Sequence, residues 1–179
     1  MKNISLIKQV LFSLAVLLLA SAETKAQYHA SIGLRGAKFS SGINAKYYFD
    51  ADNATGIEVM LGRTKIAKGG WFAAGFFERQ VPFKIPILQL PLNFIGGLGI
   101  HVGYFPERYY KIVEGKAAYY NNNTTAVSAG ALVALEYIVP FKAYPFAVGI
   151  EANPFYDLVN KGPEFLDLAI TLKYIFRVD

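Results

Sequence analysis

Few residues in this chain could do chemistry. His29-Ala30-Ser31 puts a histidine and a serine on one strand face. A base beside a serine is the start of nucleophilic catalysis, which also needs a carboxylate to orient the base. The pair stands at the beginning of a strand and reads as two ordinary polar residues. His101 has no neighbouring histidine or cysteine to build a metal site and reads as a hydrogen-bonding group. Gly97, Gly99 and Gly103 invite comparison with a dinucleotide fingerprint, but no helix or βαβ unit follows them. Asn123-Thr124-Thr125 matches a glycosylation acceptor, a short pattern that carries little weight by itself. Tyr109, Tyr110, Tyr119 and Tyr120 are better candidates for contact with something outside, since a tyrosine offers area and a hydroxyl at low entropic cost. No catalytic residue, metal or cofactor is expected.

The chain of 179 residues is long enough for one domain with a core. Lys2 and Lys8 precede the apolar run Val10 to Ala22, and Ala26 follows. A basic start, a short apolar core and a small-residue cut site make a secretory leader over residues 1–26, with cleavage after Ala22 as the alternative. The run is shorter than the roughly 20 residues of a spanning helix. Losing the leader removes Lys2, Lys8, Lys25 and Glu23, which takes the formal charge from +5 to +3. That mild excess gives no argument for nucleic acid. There is no cysteine, so neither a disulfide framework nor a lipidated cysteine is expected.

The remainder, 27–179, is read as one domain. Eight segments carry apolar residues at every second position: Tyr28–Ala37, Gly42–Asp50, Thr55–Lys65, Trp71 to about Val81, Leu92–Tyr104, Thr125–Ile138, Tyr144–Asn153 and Glu164–Phe176. Leu92–Tyr104 shows the pattern best. Its even positions are almost all apolar, and its odd positions are mostly small or polar. The fourth segment leaves its faces open, because Phe76-Phe77 and Glu78-Arg79 put like residues side by side. Pro154 is expected at a strand end or bulge. Residues 105–124 form the longest connection.

The charges decide which face meets water. Arg35, Lys46 and Lys173 are balanced by Glu58, Glu136 and Glu151, and all six share the small, polar face with His101. A charge on a lipid face near the midplane costs roughly 2–4 kcal/mol, so this segregation is what a membrane barrel requires. Lys46 and Glu58 lie symmetrically about a turn at Asp52 and are placed as cross-strand neighbours. Tyr47, Phe49, Trp71, Tyr104, Tyr137, Tyr174 and Phe176 cluster near strand ends, as interfacial girdles do. A soluble carrier would need these strands inside out, with too few polar residues to cover it. The expected fold is all-β, an eight-stranded antiparallel up-and-down transmembrane barrel. An eight-stranded barrel is just wide enough for side chains to fill, so the lumen is expected to be plugged.

Gly96-Gly97-Leu98-Gly99-Ile100-His101-Val102-Gly103, Ala134-Leu135-Glu136-Tyr137 with Pro140 and Pro145, Asn153-Pro154 and Lys173-Tyr174-Ile175-Phe176 resemble the small outer-membrane β-barrel proteins of Gram-negative bacteria, the porin-like and OmpA/OmpX-like superfamily. The resemblance spans the whole mature chain and implies residence in the cell outer membrane, contact with its lipid, and insertion by the barrel-assembly machinery. In that family a terminal aromatic is read by this machinery. Phe176 matches it, although Arg177-Val178-Asp179 follow. The expected role is that of a monomeric, non-enzymatic barrel with a structural or surface-interaction function. A small uptake pore is the first alternative and a lipid-modifying barrel enzyme built on His29 and Ser31 the second.

Overall fold

Along every long strand the side chains alternate between two environments, and the apolar ones are on the outside. β10 (Gly162–Phe176) shows it most plainly. Leu166, Leu168, Ile170, Leu172, Tyr174 and Phe176 are exposed, while Asp167, Ala169, Thr171, Lys173 and Ile175 are buried. The computed structural model describes residues 28–50, 54–65, 67–85, 90–106, 109–113, 116–120, 124–139, 145–159 and 162–176. The leader expected over 1–26, the turn at Asp52, Pro140 and residues 177–179 lie outside them.

The other strands are β1 (Ala30–Ala37), β2 (Ser40–Asp50), β3 (Thr55–Thr64), β4 (Trp71–Ile85), β5 (Leu90–Phe105), β6 (Tyr109–Val113), β7 (Lys116–Tyr120), β8 (Thr124–Ile138) and β9 (Phe146–Asp157). Eight of the ten close into one antiparallel barrel in the order β1-β10-β9-β8-β5-β4-β3-β2. Each chain neighbour pairs with the next, and the circle closes where β1 meets β10, from Ala30 opposite Phe176 to Ala37 opposite Ala169. Closure leaves no strand edge unpaired in the barrel sheet.

Three sequence expectations need correction. The connection 105–124 contains a second, two-stranded sheet, β6 with β7, which lies against β10. Its tyrosines hide a strand pattern because they come in adjacent pairs rather than alternating. β4 runs on to Ile85, with its even residues inward: Phe72, Ala74, Phe76, Glu78 and Gln80 are all buried. The seventh segment does not end at Asn153: β9 continues to Asp157, and Pro154 sits beside the irregularity where the register with β10 slips between Pro163 and Leu166, the second of the two placements expected of it. The proline ring faces outward there, and the ladder to β8 lapses between Gly130↔Phe155 and Val133↔Ala152 because proline has no N–H to give.

Glycines let neighbouring strands and their inward rings approach closely. A Cβ on Gly99 would sit 2.0 Å from the Gly75 carbonyl oxygen, and one on Gly130 would sit 2.4 Å from the Phe155 ring. Both positions exclude any side chain unless neighbours move.

Candidate functional site

The lumen gathers the charged residues. The β2–β3 hairpin sets Lys46 opposite Glu58, and the Lys46 Nζ lies 2.9 Å from Glu58 Oε2. The same ammonium donates to Glu78 Oε2 at 3.0 Å, and Tyr48 Oη donates to the other oxygen of Glu78 at 2.8 Å. On the other flank of the barrel, Lys173 on β10 donates to Glu136 on β8 at 3.1 Å and to Glu151 on the adjacent β9 at 3.0 Å. Glu151 also meets Arg35 Nε at 3.4 Å. Arg35 reaches Asp167 at 3.0 Å and the Asn153 side-chain oxygen at 2.8 Å. Tyr28 Oη donates to Glu136 at 2.8 Å, and its ring meets Tyr48 edge-on at 5.4 Å.

These bonds tie neighbouring and next-but-one strands together along two flanks of the lumen. Arg35, Glu151, Lys173, Glu136 and Tyr28 form one chain, and Lys46 with Glu58, Glu78 and Tyr48 forms another. Burying an ion costs several kcal/mol unless it is paired and hydrogen-bonded, and each cation here contacts two carboxylates. The balance of three charges against three does not hold. Among the described residues the buried acids also include Glu78, Asp157 and Asp167, giving six carboxylates to the three cations Arg35, Lys46 and Lys173. Glu78 was hidden by the ambiguous faces of the fourth segment. Asp167 was legible, since it shares strand parity with Lys173.

The lumen is also less polar than alternation suggested. Met60, Phe72, Phe76, Ile95, Leu132 and Phe155 are buried inside it. Tyr28, at the start of the first segment, turns inward and is 2% exposed. His101 lies with its ring centre 5.8 Å from Phe72 and 4.6 Å from Phe155. Beside it runs a row of His101 on β5, Ser128 on β8 and Asp157 on β9. Nucleophilic relay needs the histidine between serine and carboxylate. Here the serine is in the middle and fully buried, so the order is wrong and no substrate can reach it. His29 is half-buried at the barrel mouth, while Ser31 is buried inside. No group of three or more histidine, cysteine or acidic residues that could hold a metal is found among the described residues. A cavity lined by Arg35, Met60, Phe72, His101, Phe155 and Asp167 measures about 10 Å³, which is about the room one water needs.

Outside, the apolar residues form bands. Ile32, Leu34, Ile43, Val59, Leu61, Leu98, Ile100, Ile150, Leu168 and Ile170 are exposed around the barrel's girth. Towards the end that carries the termini stand Tyr47, Phe49, Tyr174 and Phe176, all exposed, with Tyr137 half-buried. Phe49 neighbours Phe77 at 6.0 Å and Tyr174 neighbours Phe176 at 5.1 Å. Towards the opposite end Trp71 and Tyr104 pair across β4 and β5 with ring centres 6.4 Å apart. Tyr109, Tyr110, Tyr119 and Tyr120 lie on the β6–β7 hairpin at that same end, and their side chains lie outside the described part.

No family model and no curated protein matches the sequence. Among solved structures, the crystal structure of Neisserial surface protein A is similar at 14% identity, covering 82% of this chain and 94% of that one, with a TM-score of 0.45.

Proposed function

We propose that this chain is an integral outer-membrane barrel with a structural or surface-interaction role and no catalytic activity. The observation that carries the reading is the inverted burial. The barrel's outside is a band of aliphatic side chains flanked by aromatics, and its strand-borne charges, such as Lys46, Glu58, Glu136, Glu151 and Lys173, are inside. Exposed apolar patches on soluble monomers rarely exceed a few hundred Å², whereas here apolar side chains stand out on every barrel strand. Lipid is the solvent that favours such a surface, and closure satisfies the backbone polar groups that lipid would leave unpaired. The β6–β7 hairpin, with its four tyrosines, is the surface we assign to contacts beyond the membrane. The buried, mutually paired charges of the lumen weigh against the alternative of an open uptake pore.

The mature chain is expected to fractionate with outer membranes and to migrate faster on gels when unheated than when boiled. Recovery of a soluble periplasmic species with no heat-dependent mobility would overturn the proposal.

A further inference from the structure

Exposed positive charge gathers on one part of the rim, at the end of the barrel away from the termini. Lys38 stands on the turn between β1 and β2, Arg63 near the end of β3, Lys65 just past it, and Lys68 on the turn into β4. All four are exposed. The carboxylates whose side chains are described, Glu58, Glu78, Glu136, Glu151, Asp157 and Asp167, are all buried in the lumen instead. None of them neutralises this rim from outside.

The backbone holds the four cations together. Register sets Ser40 opposite Thr64 and Ser41 opposite Arg63, so the two turns adjoin. Beyond that ladder the Lys65 N–H donates to the Phe39 carbonyl at 2.7 Å, and the Thr64 hydroxyl donates to the same oxygen at 3.3 Å. Lys65 Nζ donates to the Ala37 carbonyl at 2.7 Å, which fastens its side chain across the seam. The Thr64 N–H donates to the Gly70 carbonyl at 3.1 Å and closes the second turn. Like charges held close in this way repel one another, and an anion set among them relieves the repulsion.

Depth in the wall distinguishes the possible anions. Arg63 lies directly across from Trp71, whose ring pairs with Tyr104. Two residues back along the same face of β3 is Leu61, exposed in the aliphatic band. Arg63 therefore stands where the aromatic girdle meets the band, with the lysines further out. A soluble polyanion would have to enter the girdle to reach it. The phosphate of a lipid headgroup is at that depth already.

We infer that Arg63, with Lys38, Lys65 and Lys68, binds the phosphate groups of an anionic membrane-lipid headgroup. A guanidinium holds a phosphate through two parallel N–H bonds, and ammonium groups around it add charge without demanding one geometry. The site belongs to the β1–β4 flank of the rim, whereas aliphatic side chains face outward on every barrel strand. The inference rests on the membrane reading above.

Trp71, the only tryptophan in the chain, neighbours Arg63 and serves as the reporter. The wild-type barrel in neutral detergent micelles is titrated with diphosphoryl lipid A, with phosphatidylethanolamine and with inorganic phosphate while Trp71 fluorescence is followed. Two variants each remove two charges: Arg63→Gln with Lys68→Gln on the rim, and Lys111→Gln with Lys116→Gln on the β6–β7 hairpin. The wild type and the hairpin variant are expected to give a saturable change with lipid A alone. The rim variant is expected to bind it at least about tenfold more weakly, as loss of charge-assisted bonds implies. Should the rim variant fail to fold, Lys38→Gln with Lys68→Gln, both on exposed turns, decides. Equal affinity in the rim variant overturns the inference, as does an equal response to the zwitterionic phosphatidylethanolamine. Saturation by inorganic phosphate at the same concentrations would make this a free-anion site and overturn the lipid assignment. Full competition by heparin, a soluble polyanion, would overturn it too. Failure of the wild type itself to float with vesicles would sink the membrane reading, an outcome distinct from all of these.

Discussion

Lys173 shows how much one luminal side chain holds. It is 1% exposed and joins carboxylates on two other strands, Glu136 and Glu151. Lys173→Met would keep the bulk and remove the charge, leaving the Glu136–Glu151 side of the lumen with one cation fewer. Breaking a buried pair by deleting one partner costs about 3–5 kcal/mol. The variant is expected to unfold at a clearly lower urea concentration than the wild type in detergent micelles. An unchanged midpoint would mean that the network contributes little. The Lys46–Glu58 pair could be read from the sequence, because a hairpin centred near Asp52 fixes both parity and register. Arg35 joined to Asp167, and Lys173 to Glu136, could not be read this way. Those pairs depend on which distant strands meet when the sheet curls shut, and parity along a strand carries no such information.

At the scale of the strand, alternation does the work that amphipathicity does in a soluble sheet, with the direction reversed. Leu98 and Ile170 are 68% and 66% exposed on β5 and β10. Leu98→Arg or Ile170→Arg would put a guanidinium into the aliphatic band, at a cost of roughly 2–4 kcal/mol if it lies at the bilayer midplane. Either change is expected to lower the heat-modifiable fraction recovered from membranes, while Leu98→Ile leaves it unaltered. Equal recovery of all three would contradict the assigned faces. Seven of the barrel strands were legible in this way, faces included. The faces of β4 were not, since Phe76-Phe77 and Glu78-Arg79 supply one residue of each kind to both sides. Only pairing with β3 and β5 fixes them, with Phe76 opposite Glu58 and Gly99 on the luminal side. The β6–β7 hairpin stayed hidden for a related reason, as a two-stranded ladder outside the barrel has no core against which its residues must alternate.

Taken whole, the described barrel is a closed wall whose inner face is lined by buried side chains. The ion pairs line two flanks of the lumen, Phe155 lies against Phe76 and His101, and the cavity beside them has room for about one water. Planar-bilayer recordings of the purified barrel are expected to show no steady conductance at neutral pH. A stable open level would return the pore to first place, and the excess of buried carboxylates would then favour cations. The seam between β1 and β10 has a further, kinetic consequence. It joins Ala30 to Phe176, so the wall is completed by the pairing most distant in sequence. Folds dominated by such distant pairings form slowly, because loop-closure entropy must be overcome before the contacts reward it. A chain stopped before β10 would not be a smaller barrel. It would be a curled sheet with two bare edges, open to joining whichever strand reached it first.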